Sequence, residues 1–91
     1  MNKEMITVEE LIFLRQFEDI HYTYIARDAD GGLYVFTEEP QRGKDMWFIQ
    51  LIECEDDIFG IQINSNLFGF ISWASKTAWS ISDLMKLQVK K

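Results

Sequence analysis

Carboxylates are the first residues of this chain whose types and spacing could do chemistry. The acidic residues that stand out are Glu38, Glu39, Glu55, Asp56 and Asp57. Paired carboxylates can transfer protons or hold Mg²⁺. Neighbouring acids in a turn more commonly face water, so we expect these side chains to form a solvated acidic surface. On charge alone, such a surface would also mimic the phosphates of DNA.

Three tryptophans, Trp47, Trp73 and Trp79, are the second candidate group. Exposed indole rings form stacking platforms and dominate many protein-binding surfaces. Buried indole rings instead complete a small core, where each removes a large apolar area from water. We expect the core to take most of this area and at least one ring to be partly exposed.

A calcium loop is a third interpretation, because Asp28 and Asp30 are followed by Glu39 at the twelfth position. The pattern then fails, since Gly32 and Leu33 stand where a side-chain oxygen and a glycine are required. A strand also follows, where a calcium loop of this kind needs a helix. The aspartate and glycine residues are more typical of a hairpin turn.

Catalytic patterns are otherwise lacking in the sequence. His21 is the only histidine and has no second histidine to share a metal. Cys54 is the only cysteine, no nucleophile motif surrounds it, and it ends an apolar run, as small buried cysteines do. The chain has no glycine-rich phosphate loop, Ser/His/Asp arrangement or CxxC pair. We therefore predict that the protein is not an enzyme and uses no metal or cofactor.

Composition limits the class of protein and of partner. The chain has 91 residues, 47% of them hydrophobic, which predicts one folded domain spanning residues 1–91. Its net charge of −6 disfavours direct nucleic-acid binding and favours a basic protein surface as partner. A single cysteine and the lack of a long apolar run predict a cytoplasmic protein that does not enter a membrane.

An Asp/Gly corner organises the predicted fold. Strands at residues 22–27 and 33–37 flank a turn at residues 28–32, and we expect them to pair as an antiparallel hairpin. Before them, Thr7 and Glu10 form a capping-box pattern that starts a helix from Val8 to residue 18 or 19.

Later segments supply the rest of a sheet and a second helix. Strands are predicted at residues 46–54 and 58–63, with Gly60 as a bulge. Residues 67–73 fit either a helical turn followed by a short strand or a single strand. Ser80 and Asp83 indicate the start of a helix from residue 81 to about 87. The expected class is α+β, with an N-terminal helix on a mostly antiparallel four- or five-stranded sheet and a short C-terminal helix.

Two stretches resemble a known group of proteins. Residues 24–36 (YIARDADGGLYVF), then Glu39 and Pro40, then Trp47, resemble a pattern of small uncharacterised proteins of phages and prophages in low-GC Gram-positive bacteria. Residues 67–73 (LFGFISW) and 80–84 (SISDL) resemble the ending of the same proteins. The resemblance covers residues 24–84. It implies a phage or prophage origin and carries no activity or site residue.

The leading hypothesis is a small phage or prophage accessory protein that binds another protein. Its contact surface would combine exposed aromatic rings with the acidic residues named above. The alternative is a structural or assembly protein that self-associates, at least as a homodimer, through sheet edges or the apolar region at residues 48–63.

Overall fold

A computed structural model describes residues 4–50, 57–58, 60–75 and 77–90 of the chain. Its helices and strands follow the chain in the order β1 (Met5–Thr7), α1 (Val8–Asp19), β2 (Tyr24–Arg27), β3 (Leu33–Phe36), β4 (Gln41–Arg42), β5 (Trp47–Gln50), β6 (Asp57–Ile58), β7 (Ile61–Ile63), β8 (Trp79–Ser80), α2 (Ile81–Met85) and β9 (Gln88–Lys90). The predicted α+β class is confirmed.

The hairpin predicted around the Asp/Gly corner forms the centre of a four-stranded antiparallel sheet. β2 pairs with β3 from Tyr24 opposite Phe36 to Arg27 opposite Leu33. β7 extends the sheet beside β3 and β8 extends it beside β2, which gives the order β7-β3-β2-β8. At the corner Gly31 has a φ of 93°, a left-handed value that glycine adopts without strain. The predicted antiparallel hairpin is confirmed.

Both faces of this sheet are covered, which the sequence did not predict. Alternation along the hairpin places Ile25 and Val35 in a core with the helices, where both are fully buried. Ala26 and Phe36 point to the opposite face and pack there with Trp47 and other residues. On that second face lies a three-stranded sheet of order β4-β5-β6.

Local signals at the ends of α1 explain its bounds. The Thr7 hydroxyl accepts from the Glu10 N–H at 3.0 Å, and a Glu10 carboxylate oxygen accepts from the Thr7 N–H at 2.8 Å. The predicted capping box is thus confirmed. At the other end His21 has a φ of 71°, and the Tyr22 N–H donates to the Phe17 carbonyl at 3.0 Å. This is a Schellman ending with an exposed histidine at the position that usually holds glycine.

The C-terminal helix is shorter than predicted. Ser80 caps α2 as expected, but the helix ends at Met85, with Lys86 as the capping residue. Residues 88–90 then form β9, which pairs parallel with β1 and places Val89 beside the buried Ile6. This pairing joins residues more than 80 positions apart, so no local pattern indicates it.

The strand predicted at residues 58–63 is divided between two sheets. Ile58 pairs with Ile49 of β5, whereas residues 61–63 pair with β3. Gly60 lies at the division, where a Cβ atom would stand 2.5 Å from the Val35 carbonyl oxygen. A residue with a side chain would clash there, so glycine permits the close approach. Of the strand predicted at residues 46–54, β5 covers the first part, and residues 51–54 lie outside the described residues.

Residues 64–75 form turns without a strand, so both alternatives for residues 67–73 were wrong. Two charged side chains hold this segment. A carboxylate oxygen of Glu10 accepts from the backbone N–H of Phe68, whose ring is fully buried and whose φ is 52°. From the sheet, the Arg27 guanidinium donates to five carbonyl oxygens, at distances of 2.6–3.2 Å, on Gly31, Ser65, Leu67, Phe68 and Ile71.

Among the described residues, the structure has no helix long and apolar enough to cross a membrane.

The Arg27 contacts predict a large and local effect of a conservative substitution. Lysine keeps the positive charge but has three donors instead of five, so at least two carbonyl groups lose their partner. We expect Arg27→Lys to lower the free energy of unfolding by roughly 2–4 kcal/mol. Amide hydrogen exchange should also accelerate at Leu67, Phe68 and Ile71.

Arg15→Lys is the matched control, because Arg15 is exposed on α1 and its substitution should change stability by less than about 0.5 kcal/mol. Denaturant titration of the three proteins checks this prediction. Equal stability of the Arg27→Lys and Arg15→Lys proteins would contradict it.

Candidate protein-binding surface

Trp47 lies in the core and is only 4% exposed. Its backbone N–H donates to Oδ1 of Asp28 at 2.9 Å, and its indole Nε1–H donates to the Arg27 carbonyl at 3.1 Å. The ring therefore ties β5 to the end of β2. Of the three tryptophans predicted as contact residues, Trp47 is thus the buried one, and its ring packs against the partly exposed Trp73.

Trp73 is partly exposed and is held in place by two neighbours. Its ring meets the Trp47 ring edge to face, with centroids 6.2 Å apart. The Arg42 guanidinium carbon lies 3.9 Å from the centroid of the Trp73 ring, and Arg42 also donates to the Trp73 carbonyl at 2.7 Å. Cation–π stacking of this kind fixes an aromatic ring at a surface. We call Arg42 and Trp73 the Trp73 platform.

Trp79, also partly exposed, belongs to a different part of the surface. It lies on the edge strand β8, and its ring packs edge to face on Phe70 with centroids 5.5 Å apart. An open cleft of about 370 Å³ adjoins it. The cleft is lined by Ser75, Thr77, Ala78, Trp79, Ser80 and Asp83. Trp79 and Trp73 pack in separate clusters, so the structure does not unite the three tryptophans in one site.

The predicted acidic residues are placed only in part. Glu38 and Glu39 are exposed on the loop that leads into β4. Glu39 is three residues from Arg42, so their Cα atoms are at most about 11 Å apart. Asp57 lies in β6 opposite Gln50. Glu55 and Asp56 lie outside the described residues.

Asp28, in the turn after β2, is buried and adjoins a small cavity. This cavity, the Asp28 cavity, has a volume of about 120 Å³ and is lined by Asp28, Tyr34, Met46, Trp47 and Gly60. Asp28 is only 8% exposed, and within the described part of the chain only its Oδ1 has a hydrogen-bond donor, the Trp47 N–H.

The electrostatic environment of this cavity is negative. Burial raises the pKa of the Asp28 carboxyl, the Trp47 N–H opposes that rise, and the charges of Asp30 and Asp45 add to it. Burial, followed by the charges of Asp28 and Asp30, raises the pKa of the Tyr34 hydroxyl. Among the described side chains the one ion pair is between Lys86 and Asp83, on the surface at 4.0 Å. The Asp28 carboxylate thus has no cationic partner in that part of the chain.

The burial of Asp28 could not be predicted from the sequence, because it depends on a distant residue. The hydrogen bond to Trp47 spans 19 positions, and a second bond from the Ala29 N–H to the Asp45 carbonyl, at 3.0 Å, holds the corner against the start of β5. Locally, Asp28 is indistinguishable from an ordinary turn aspartate.

The arrangement suits recognition of a cationic group. Asp28, Tyr34 and Trp47 line one small cavity. The Trp47 ring also packs edge to face on Trp73, whose ring carries the Arg42 guanidinium. Within the described residues, no group of three or more histidine, cysteine or acidic side chains could hold a metal ion. His21 is exposed at the end of α1, and Cys54 lies outside the described residues.

Comparison with models of protein families, with curated proteins and with solved structures finds no match for this chain.

The raised pKa of Asp28 predicts how stability depends on pH. Because the folded state binds this proton more tightly, the contribution to stability is present below the ordinary pKa of 3.8 and is lost as pH rises through the folded-state pKa. Asp28→Asn keeps an oxygen that accepts from the Trp47 N–H and removes the charge. We expect this variant to unfold at higher denaturant concentration than the native protein at about pH 7.

Near pH 3 the Asp28 carboxyl is protonated in both states, so the advantage of the variant should largely disappear there. Urea unfolding at the two pH values, followed by tryptophan fluorescence, measures the difference. A variant less stable than the native protein at neutral pH would show that the carboxylate is favourably solvated and would refute the prediction.

Proposed function

We propose that this protein acts by binding another protein through the Trp73 platform and the acidic loop that carries Glu38 and Glu39. The observation that carries the proposal is the partly exposed Trp73 ring, which contacts both the buried Trp47 ring and the Arg42 guanidinium. Tryptophan and arginine are the residues most enriched at the energetic centres of protein interfaces. A ring that is already fixed loses little side-chain entropy when a partner covers it.

Charge indicates the kind of partner. The chain has a net charge of −6, and the exposed Glu38 and Glu39 lie close to the platform along the chain. Complementary charge speeds encounter and selects partners, so a partner with basic residues around an apolar or aromatic patch fits best. The resemblance of residues 24–84 to phage and prophage proteins supports a role as a small accessory protein that acts on a protein of its bacterial host.

Self-association is the second candidate, favoured by exposed apolar side chains away from the platform. Val8 and Ile12 lie one turn apart on α1 and are 55% and 51% exposed. Ile61, on the edge strand β7, is 49% exposed. Sedimentation equilibrium of the protein alone separates the two proposals, since a monomer at millimolar concentration argues against self-association.

A capture experiment with charge-matched variants tests partner binding. The native protein, immobilised and exposed to lysate of a low-GC Gram-positive host, should retain a basic protein, and retention should fall as NaCl rises from about 0.05 to 0.5 M. Replacing both Glu38 and Glu39 with glutamine should reduce retention about tenfold, because two charges near the platform are lost. Quantitative mass spectrometry of the eluates measures the loss.

The control is the double replacement of Glu9 and Glu18 with glutamine, which changes the net charge equally at exposed positions of α1, across the central sheet from the platform. This variant should retain the same protein almost fully. Equal losses in the two double variants would mean that only overall charge matters. If no protein is retained in any sample, the proposal is refuted.

A further inference from the structure

The walls of the Asp28 cavity match a basic side chain better than a neutral one. Tyr34 and Trp47 supply aromatic surface and Met46 supplies a thioether, which are suitable contacts for methylene groups. The carboxylate of Asp28 supplies a charge at the same cavity. The cavity is small, with a volume of about 120 Å³, which suits the end of an alkylammonium chain.

The charge of Asp28 is costly to keep in the free protein. Asp28 is 8% exposed as a residue; one carboxylate oxygen accepts from the Trp47 N–H, and the other, which has no donor within the described part of the chain, is not fully buried. Asp30 and Asp45 are close enough to raise its free energy further by repulsion. Partial burial and nearby like charges disfavour the ionised carboxylate, and a cation brought by a ligand would offset that cost.

The cavity also communicates with the surface where we place the partner. Met46, which lines the cavity, is 38% exposed, and Trp47, which also lines it, packs its ring against Trp73. A protein that covers the Trp73 platform would therefore have the cavity within reach.

We infer that the Asp28 cavity is the anchor pocket of this surface and that it takes the ammonium group of a lysine side chain from the bound protein. The inference rests on the proposed function for the source of the lysine. The chemistry of the pocket itself, a carboxylate with aromatic walls that binds an alkylammonium ion, can be tested without any partner.

The test uses n-butylammonium chloride as the probe and the isotope-labelled full chain as the receptor. At neutral pH and low salt, the probe should shift the backbone and indole N–H resonances of Trp47 saturably, with a Kd on the order of 10 mM. Asp28→Asn should weaken this binding at least tenfold. Neutral n-butanol, which has the same chain length, should give no saturable shift at Trp47.

Asp30→Asn is the matched control. It removes one nearby negative charge, keeps an oxygen that can accept from the Gly32 N–H, and lies outside the cavity lining. We expect it to weaken binding less than threefold. Three results would each refute this inference. They are equal Kd values for the native and Asp28→Asn proteins, equal effects of the two substitutions, and equal shifts with n-butanol and n-butylammonium.

The two proposals can fail separately. If the probe binds as expected but no basic protein is captured from lysate, the pocket recognises free amines and a partner's lysine is refuted as its source. If a partner is captured equally by the native and Asp28→Asn proteins and the probe does not bind, the surface stands and the anchor pocket is refuted.

Discussion

At the end of β2, the neighbouring and oppositely charged side chains of Arg27 and Asp28 lie on opposite faces of the central sheet. Arg27 points toward the helices, where its five donors are taken up by carbonyl oxygens of the corner and of the turns at residues 65–71. Asp28 contacts Trp47 on the other face. Because every donor of the guanidinium is already bound to a carbonyl group, Arg27 does not pair with the neighbouring carboxylate. The rest of the architecture depends on this separation.

On the helix side of the sheet, Arg27 helps to fix a segment that contains no helix or strand. Residues 64–75 are held from the sheet by Arg27 and from the N-terminus of α1 by Glu10, with the buried Phe68 between them. Glu10 thereby serves twice, since its other oxygen completes the capping box. In this segment, charged side chains form hydrogen bonds with backbone groups that would pair with a neighbouring strand in a sheet.

On the other side, the separation leaves a carboxylate at the joint of two sheets. Trp47 closes this joint by bonding to both Asp28 and Arg27, and its ring supports Trp73 at the surface. Burial and the charges of Asp30 and Asp45 disfavour the ionised form of this carboxylate.

Features set by neighbouring residues could be predicted from the sequence, and features set by distant pairings could not. The hairpin, both helix caps and the start of α1 follow from turn and capping residues a few positions apart. The parallel β1–β9 pair, the division of residues 57–63 and the second sheet layer all depend on contacts between remote segments. The burial of Asp28 belongs to the second group, so the contact residues predicted from the sequence include Trp47 and Trp73 but not Asp28, which lines the cavity together with Trp47.

The most direct test of this account is a titration of the aspartate side-chain carboxyl carbons by NMR. In the native protein the Asp28 carbon should titrate with a midpoint above its ordinary value of 3.8, because burial and the nearby charges of Asp30 and Asp45 disfavour its ionised form. Saturating n-butylammonium should lower that midpoint, since a bound cation favours the carboxylate. A midpoint at or below the ordinary value in the free protein would mean that the Asp28 charge is already compensated, and it would contradict the account.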